Sequence, residues 1–173
     1  MKAVVIYKSQ TGFTKRYAQW IAEALGADCL ALPMAKKKDF GSYDAVIFGG
    51  CACVGRIRGI RWFKGMIDKW DGKKLIAFCV GASPIDSPEI ELALKQNFTE
   101  MELKKVNVFY CPGGLDYEKM PKLSYFMMKM FVKSLQAKKD KTETEQNMVR
   151  FLSKSYDITD KKYVEPILEC IRK

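Results

Sequence analysis

The residues best placed to do chemistry come early, as Ser9-Gln10-Thr11-Gly12-Phe13-Thr14. Ser9, Thr11 and Thr14 offer hydroxyl donors, and Gly12 lets the backbone bend closely around a ligand. An apolar, β-branched run over residues 3–7 precedes them, and a helical pattern over 15–25 follows at once. A buried strand feeding a hydroxyl-rich loop that opens a helix is an anion-binding device. The first helical turn has unpaired N–H groups and the positive end of the helix dipole. The chemistry expected here is therefore the holding of a phosphate group.

The elements that must position this loop alternate between strand and helix patterns. A first strand is expected over 2–7, then a helix with Tyr17, Trp20, Ile21, Ala24 and Leu25 on its core face, capped by Gly26. A short strand over 28–32 ends at Pro33, and residues 43–50 form a third strand ending in Gly49-Gly50. A helix over 60–70 leads to a fourth, wholly apolar strand over 74–80, as a central parallel strand requires. Ser87 and Pro88 open one helix running to Met101, and 106–111 make the fifth strand. A last helix follows residues 157–160 and runs to Cys170. This rhythm predicts one α/β domain over 1–173, a doubly wound five-stranded parallel sheet with helices on both faces. Small-residue loops follow strands one, three, four and five, and loops at one sheet edge can converge on a single flat ligand.

Several functions are excluded or demoted by what the sequence lacks. No G-x-x-x-x-G-K-[ST] occurs, against a nucleotide triphosphatase, and no G-x-G-x-x-G follows the first strand, against a dinucleotide. The clustered strand-end aspartates of a receiver domain are missing. The absence of histidine removes Ser-His and Cys-His catalysis and histidine-ligated metal sites. No metal site and no catalytic residue is assigned. Of six cysteines, Cys29 and Cys79 read as core thiols, while Cys51-Ala52-Cys53 offers a redox or metal pair, which the absence of histidine and of a second pair disfavours. No apolar run approaches the ~20 residues of a membrane span, and no signal-peptide pattern opens the sequence, so a cytoplasmic protein is expected. The net charge of +10 favours acidic partners, yet no nucleic-acid-binding motif accompanies it.

The pattern [ST]-x-T-G-x-T after the first strand, met as Ser9-Gln-Thr-Gly-Phe-Thr14, resembles the flavodoxin fingerprint for the phosphate of flavin mononucleotide (FMN). The resemblance implies strand order 2-1-3-4-5 with FMN at the switch point, a placement that belongs to the family. It assigns Ser9, Gln10, Thr11, Gly12, Phe13 and Thr14 to the phosphate. Gly50, Cys51, Ala52, Cys53, Val54 and Gly55 flank the flavin ring, with Gly81, Ala82, Ser83, Gly113, Gly114, Asp116 and Tyr117 on the neighbouring loops. Tyr117 reads either as the aromatic partner of the ring or as a packed loop tyrosine, and Trp62 as a helix-packing residue. A narrower likeness, to the flavodoxin-domain group of the menaquinone-linked protoporphyrinogen oxidase, rests on four features. These are the arginine-bearing loop after strand three, Pro112-Gly-Gly-Leu-Asp-Tyr117, an inserted basic-apolar helical segment over about 118–140, and Tyr156-Asp-Ile-Thr-Asp160. It implies electron transfer with a redox partner protein or a quinone.

Two features stay open at this level. Arg56 and Arg58 suit an acidic substrate by forked hydrogen bonds, or are simply solvated. Within the inserted segment, Leu123, Phe126, Met127, Met130, Phe131 and Leu135 form a helical stripe among lysines 119, 122, 129, 133, 138 and 139. This stripe fits an interfacial helix at the inner face of an anionic membrane, or a helix packed on its own domain or in a homodimer.

Overall fold

The structure is a computed structural model that describes residues 1–53 and 55–173. Its centre is a parallel sheet of β1 (Ala3–Lys8), β2 (Asp28–Ala31), β3 (Ala45–Cys53), β5 (Lys74–Gly81) and β6 (Val106–Pro112), in spatial order β2-β1-β3-β5-β6. The five predicted strands thus lie in the expected order. The pairs β1–β2, β1–β3, β3–β5 and β5–β6 are all parallel. Strand order reverses between β1 and β3, so the switch point opens beside the Ser9–Thr14 loop.

Strict alternation sends successive side chains to opposite faces, and each face is covered. Val4, Ile6, Val46, Phe48, Leu75 and Ala77 pack with α2 (Leu32–Ala35), α3 (Ile60–Lys64), Phe40 and Trp70. Val5, Ile47, Ile76, Phe78 and Val80 pack with α1 (Phe13–Leu25) and α8 (Glu165–Arg172). Trp62 meets Phe40, Phe48 and Trp70, the helix-packing role expected of it.

Four local expectations are corrected. The buried face of α1 is Phe13, Thr14, Tyr17, Ala18, Ile21 and Ala22, while Ala24 is exposed, because the helix starts two residues earlier than its apolar stripe suggested. The loop expected over 50–59 is largely a hairpin: β3 runs on to Cys53 and pairs antiparallel with β4 (Arg56–Ile57), a sixth strand of the sheet. The helix expected over 60–70 stops at Lys64, and a 3₁₀ turn at Asp68–Trp70 completes the segment. The helix expected from Ser87 to Met101 is two, α4 (Glu89–Lys95) and α5 (Glu100–Lys105). Thr99 starts the second with a reciprocal capping box to Glu102, a stop-and-restart signal hidden inside one apolar pattern.

After β6 the chain forms β7 (Gly114–Leu115), the inserted α6 (Lys122–Ala137), α7 (Glu143–Leu152) and β8 (Tyr156–Asp157). β7 and β8 pair antiparallel, so the insertion leaves and rejoins the domain at one point.

Gly49 on β3 tests the packing. A β-carbon there would overlap the ring of the fully buried Phe78 on β5. Gly49→Ala is expected to lower the unfolding free energy by about 1–3 kcal/mol, read by urea denaturation, as overpacking of a close-packed interior does.

Candidate functional site

All the predicted site loops lie at the carboxyl edge of the sheet. At the first, Gly12 is the N-cap of α1 with φ +107°, and no side chain caps the helix. Its first turn holds no acidic residue. Ser9 Oγ accepts the Gly12 N–H at 3.1 Å, which folds the loop back on itself, and the first helical bond runs from Arg16 N–H to Gly12 O at 3.0 Å. A β-carbon on Gly12 would meet nothing within 4 Å, so the approach to the helix end is open. Ser9 and Thr11 are half-buried at this opening, whereas Thr14 is only 1% exposed beneath it. Gln10 turns sideways, and its Nε2 donates to Ser124 Oγ on α6 at 2.8 Å.

The β3–β4 hairpin stands beside this loop in the sheet. Gly50 is dictated by the hairpin itself, since a β-carbon would overlap Ile57 and come within 2.6 Å of Arg58 O. One buried side chain holds the hairpin in place. Asn97 Oδ1 accepts the Ile57 N–H at 2.9 Å, and its Nδ2 donates to Gly55 O at 2.9 Å and Ala93 O at 2.6 Å. Asn97 is 7% exposed; its bond from the Ile57 N–H is buried and the other two are partly so. The register sets Cys53 opposite Arg56 and puts the Arg58 N–H on Cys51 O at 3.0 Å. The Arg58 guanidinium also donates to Cys53 Sγ at 3.5 Å. Burial pushes the Cys51 thiol up, partly offset by Arg58, and burial pushes Cys79 up to about 12. Arg56 and Arg58 are both exposed.

A cavity of about 320 Å³ lies between this hairpin, the loop after β5 and α4. Of the residues expected to flank a ring, Ala52, Gly55, Gly81, Ala82 and Ser83 line it. Tyr110 joins them, a residue sequence reasoning passed over. Its hydroxyl donates to Ser83 O at 2.8 Å, and burial raises its pKa. Its signal was the alternation Val106, Val108, Tyr110 along β6, which places it on the same core face. Asn97 gave no such signal, because its role depends on a hairpin that the sequence read as a loop.

The other predicted residues are engaged elsewhere. Gly113 N–H donates to Gly81 O at 2.7 Å, and Gly114 pairs with Asp157 so tightly that a β-carbon would overlap Tyr156 O. Asp116 accepts from Lys119, both backbone N–H (3.0 Å) and Nζ (2.9 Å). Tyr117 faces the insertion: its ring meets Tyr125 edge-on and Lys129 Nζ at 4.6 Å, and its hydroxyl donates to Leu152 O at 2.5 Å. Val54 lies outside the described residues. Across the loops, Tyr156 on β8 donates to Ala82 O at 2.6 Å, and Arg16 on α1 binds Asp157 at 2.5 Å and Thr159 at 2.7 Å. Among the described residues no cluster of three or more His, Cys, Asp or Glu could hold a metal ion.

Fold and site together define a doubly wound α/β protein with a side-chain-uncapped helix end at its switch point and a small-residue cavity at the same sheet edge. Residues 4–145 match the family model of the flavodoxin domain, and the chain belongs to that family. No curated protein gives a match to this chain. Among solved structures it is similar to the Trp repressor binding protein of Bacillus subtilis, at 17% identity and TM-score 0.47, over 81% of this chain and all of that one. It is also similar to a flavodoxin from the domain Archaea, at 14% identity and TM-score 0.40, over 89% and 100% of the two chains. A WrbA-like flavodoxin from Agrobacterium tumefaciens gives 16% and 0.41, over 88% and 95%. The family assignment rests on the matched residues.

Two measurements probe this scaffold. Asn97→Ala leaves the Ile57 N–H and the Gly55 carbonyl without their buried partner, and should lower the unfolding free energy by about 2–3 kcal/mol in urea. Burial, with Tyr117 nearby, pushes the Tyr156 hydroxyl up to about 12 from 10.0. A raised folded value means that its contribution is complete below the unfolded pKa and is lost as pH rises through the folded one. Stability should therefore fall between about pH 10 and about 12, and fall less steeply in Tyr156→Phe.

Proposed function

We propose that this chain is an FMN-binding electron-transfer protein of the cytoplasm, holding the cofactor's phosphate on the Ser9–Thr14 loop. The observation that carries this reading is the open, side-chain-uncapped N-terminus of α1, framed by hydroxyls and free of acidic residues, at the sheet's switch point. The backbone N–H groups of the first turn, with Ser9 and Thr11, are the donors for a phosphate dianion. Thr14, being buried, supports the turn from below. Ala52, Gly55, Gly81, Ala82 and Ser83 offer small side chains and peptide groups to a flat ring, and such hydrogen bonds tune a flavin. Bound FMN supplies reversible one- and two-electron chemistry. Tyr110 and Tyr156 fix the loop after β5 through Ser83 O and Ala82 O, so the peptides that would meet the ring are positioned before it arrives. With Tyr117 turned toward the insertion, stacking on the ring falls to other groups.

A second reading, an enzyme that oxidises an acidic substrate such as a porphyrin precursor and passes electrons to a quinone, draws on Arg56 and Arg58. Both are exposed on the hairpin that borders the cavity, where guanidinium forks could meet carboxylates. Anaerobic reduction by protoporphyrinogen, followed by reoxidation with a menaquinone analogue, separates this from simple carriage.

The as-purified protein should be yellow with a flavin spectrum and release FMN on denaturation; a colourless chain that FMN does not titrate overturns the reading in favour of a non-redox binding domain. Ser9→Ala with Thr11→Ala should weaken FMN about 10-fold or more, by loss of charge-assisted hydrogen bonds, and leave riboflavin, which lacks the phosphate, unchanged. Fluorescence quenching titrations with both flavins check it.

A further inference from the structure

Apart from Leu135, the apolar stripe of α6 does not face the protein. The helix turns Ser124, Met128, Val132 and Leu135 inward, and Val132 is its one buried residue. Leu123 (71% exposed), Phe126 (63%), Met127 (50%), Met130 (53%) and Phe131 (47%) lie on the outside. At 100° per residue these five occupy an arc of about 140° that excludes the inward face. Lys122, Lys129 and Lys133 form a row along one border of that arc. The 16-residue helix contains no acidic side chain. Lys138 pairs with Glu145, and Lys129 sits over Tyr117 and Tyr125. Lys122, Lys133 and Lys139 make no ion pair among the described residues. Core packing therefore does not explain the stripe, and five large apolar side chains on one helix face exceed the scattered exposure ordinary for a surface.

We infer that this outer face is a docking surface for an anionic membrane, the helix lying along the interface with its Leu-Phe-Met arc among the acyl chains and its lysine row at the headgroups. Charge complementarity decides the occupant. An apolar arc edged by lysines, of which Lys122 and Lys133 make no ion pair among the described residues, on a chain of net charge +10, matches a surface that is itself apolar beneath an anionic layer. A second copy of the chain would bring a like-charged row against the first. No described helix is long and apolar enough to cross a membrane, so the contact is one of lying on the surface. The inference does not depend on which cofactor is bound. It does place the attachment next to the candidate site, because Ser124 at the start of α6 holds Gln10 of the anion-binding loop. An electron acceptor dissolved in the bilayer would then be met close to the Ser9–Thr14 edge.

The test is co-sedimentation of the full chain, as purified, with vesicles of phosphatidylcholine alone or mixed with phosphatidylglycerol, at low and high salt. The chain should pellet with the anionic vesicles at least about tenfold more strongly than with the neutral ones, and less at high salt. Phe126→Ser with Phe131→Ser should reduce pelleting about tenfold or more at either salt. Lys122→Glu with Lys133→Glu should reduce it on anionic vesicles and flatten the salt dependence. All four positions are exposed, and unchanged circular dichroism and thermal unfolding confirm that the variants fold. Wild-type chain that stays in the supernatant, or pelleting equal in all variants, overturns the inference. So does a dimer in sedimentation velocity that the Phe126/Phe131 variant dissociates while vesicles bind neither form. Flavin absorbance, recorded on the same samples, reports separately on the FMN reading.

Discussion

Parallel pairing is the constraint from which the rest follows. Neighbouring parallel strands cannot be joined by a tight turn, so each must be reached by a crossover that covers one face of the sheet. With both faces covered, the strand residues are buried on either side, as the wholly apolar Leu75–Val80 run shows. The same constraint sends every connection out of the carboxyl edge. The chain end of β1, the β3–β4 hairpin and the loops after β5 and β6 therefore share one rim, where small side chains leave backbone peptides open beside Tyr110 and the exposed Arg56 and Arg58. An open helix end at the reversal of strand order is the consequence of that arrangement. The hydroxyls of Ser9 and Thr11 stand half-buried at that opening.

The rim is held by polar contacts between elements far apart in sequence. Asn97 ties the hairpin to α4, Tyr110 and Tyr156 both hold the loop after β5, and Arg16 ties α1 to β8 through Asp157 and Thr159. Each bond is worth little alone, about 1 kcal/mol net, but removal of a buried partner costs more than its formation contributes. Asn97 carries the most of this burden, with three bonds from one buried amide.

What was legible in the sequence follows from the range of the interactions. The sheet order was implied only by the resemblance of Ser9–Thr14 to the flavodoxin fingerprint, whereas strand positions showed plainly, because continuous apolar runs are local consequences of burial on two faces. The Ser9–Thr14 loop showed for the same reason, its strand, turn and helix being contiguous. The hairpin did not, since Cys51–Cys53 and Arg56–Ile57 are set in place by Asn97, some forty residues away. The break between α4 and α5 was masked by a continuous apolar pattern, and only Thr99 with Glu102 marks the restart. Tyr117 had the residue type for ring stacking, yet Tyr125, Lys129 and Leu152 draw it to the insertion.

The insertion shows most clearly where periodicity stops being informative. A helical stripe of Leu, Phe and Met reads the same whether it meets a core or an interface, because periodicity records which residues share a face and not what covers it. Here the structure separates the two. The face that packs is the modest one, Ser124, Met128, Val132 and Leu135, while the larger apolar area points outward. Full burial of such side chains is worth about 1.5–3 kcal/mol each, so the fold leaves a substantial favourable term unused on this helix. α6 is kept in place by that modest face, by Gln10 on Ser124 and by the Tyr117–Tyr125 ring contact. A helix that packs through a modest face and leaves its larger apolar arc exposed is the geometry on which the proposed docking surface rests. That surface begins within one hydrogen bond of the Ser9–Thr14 loop.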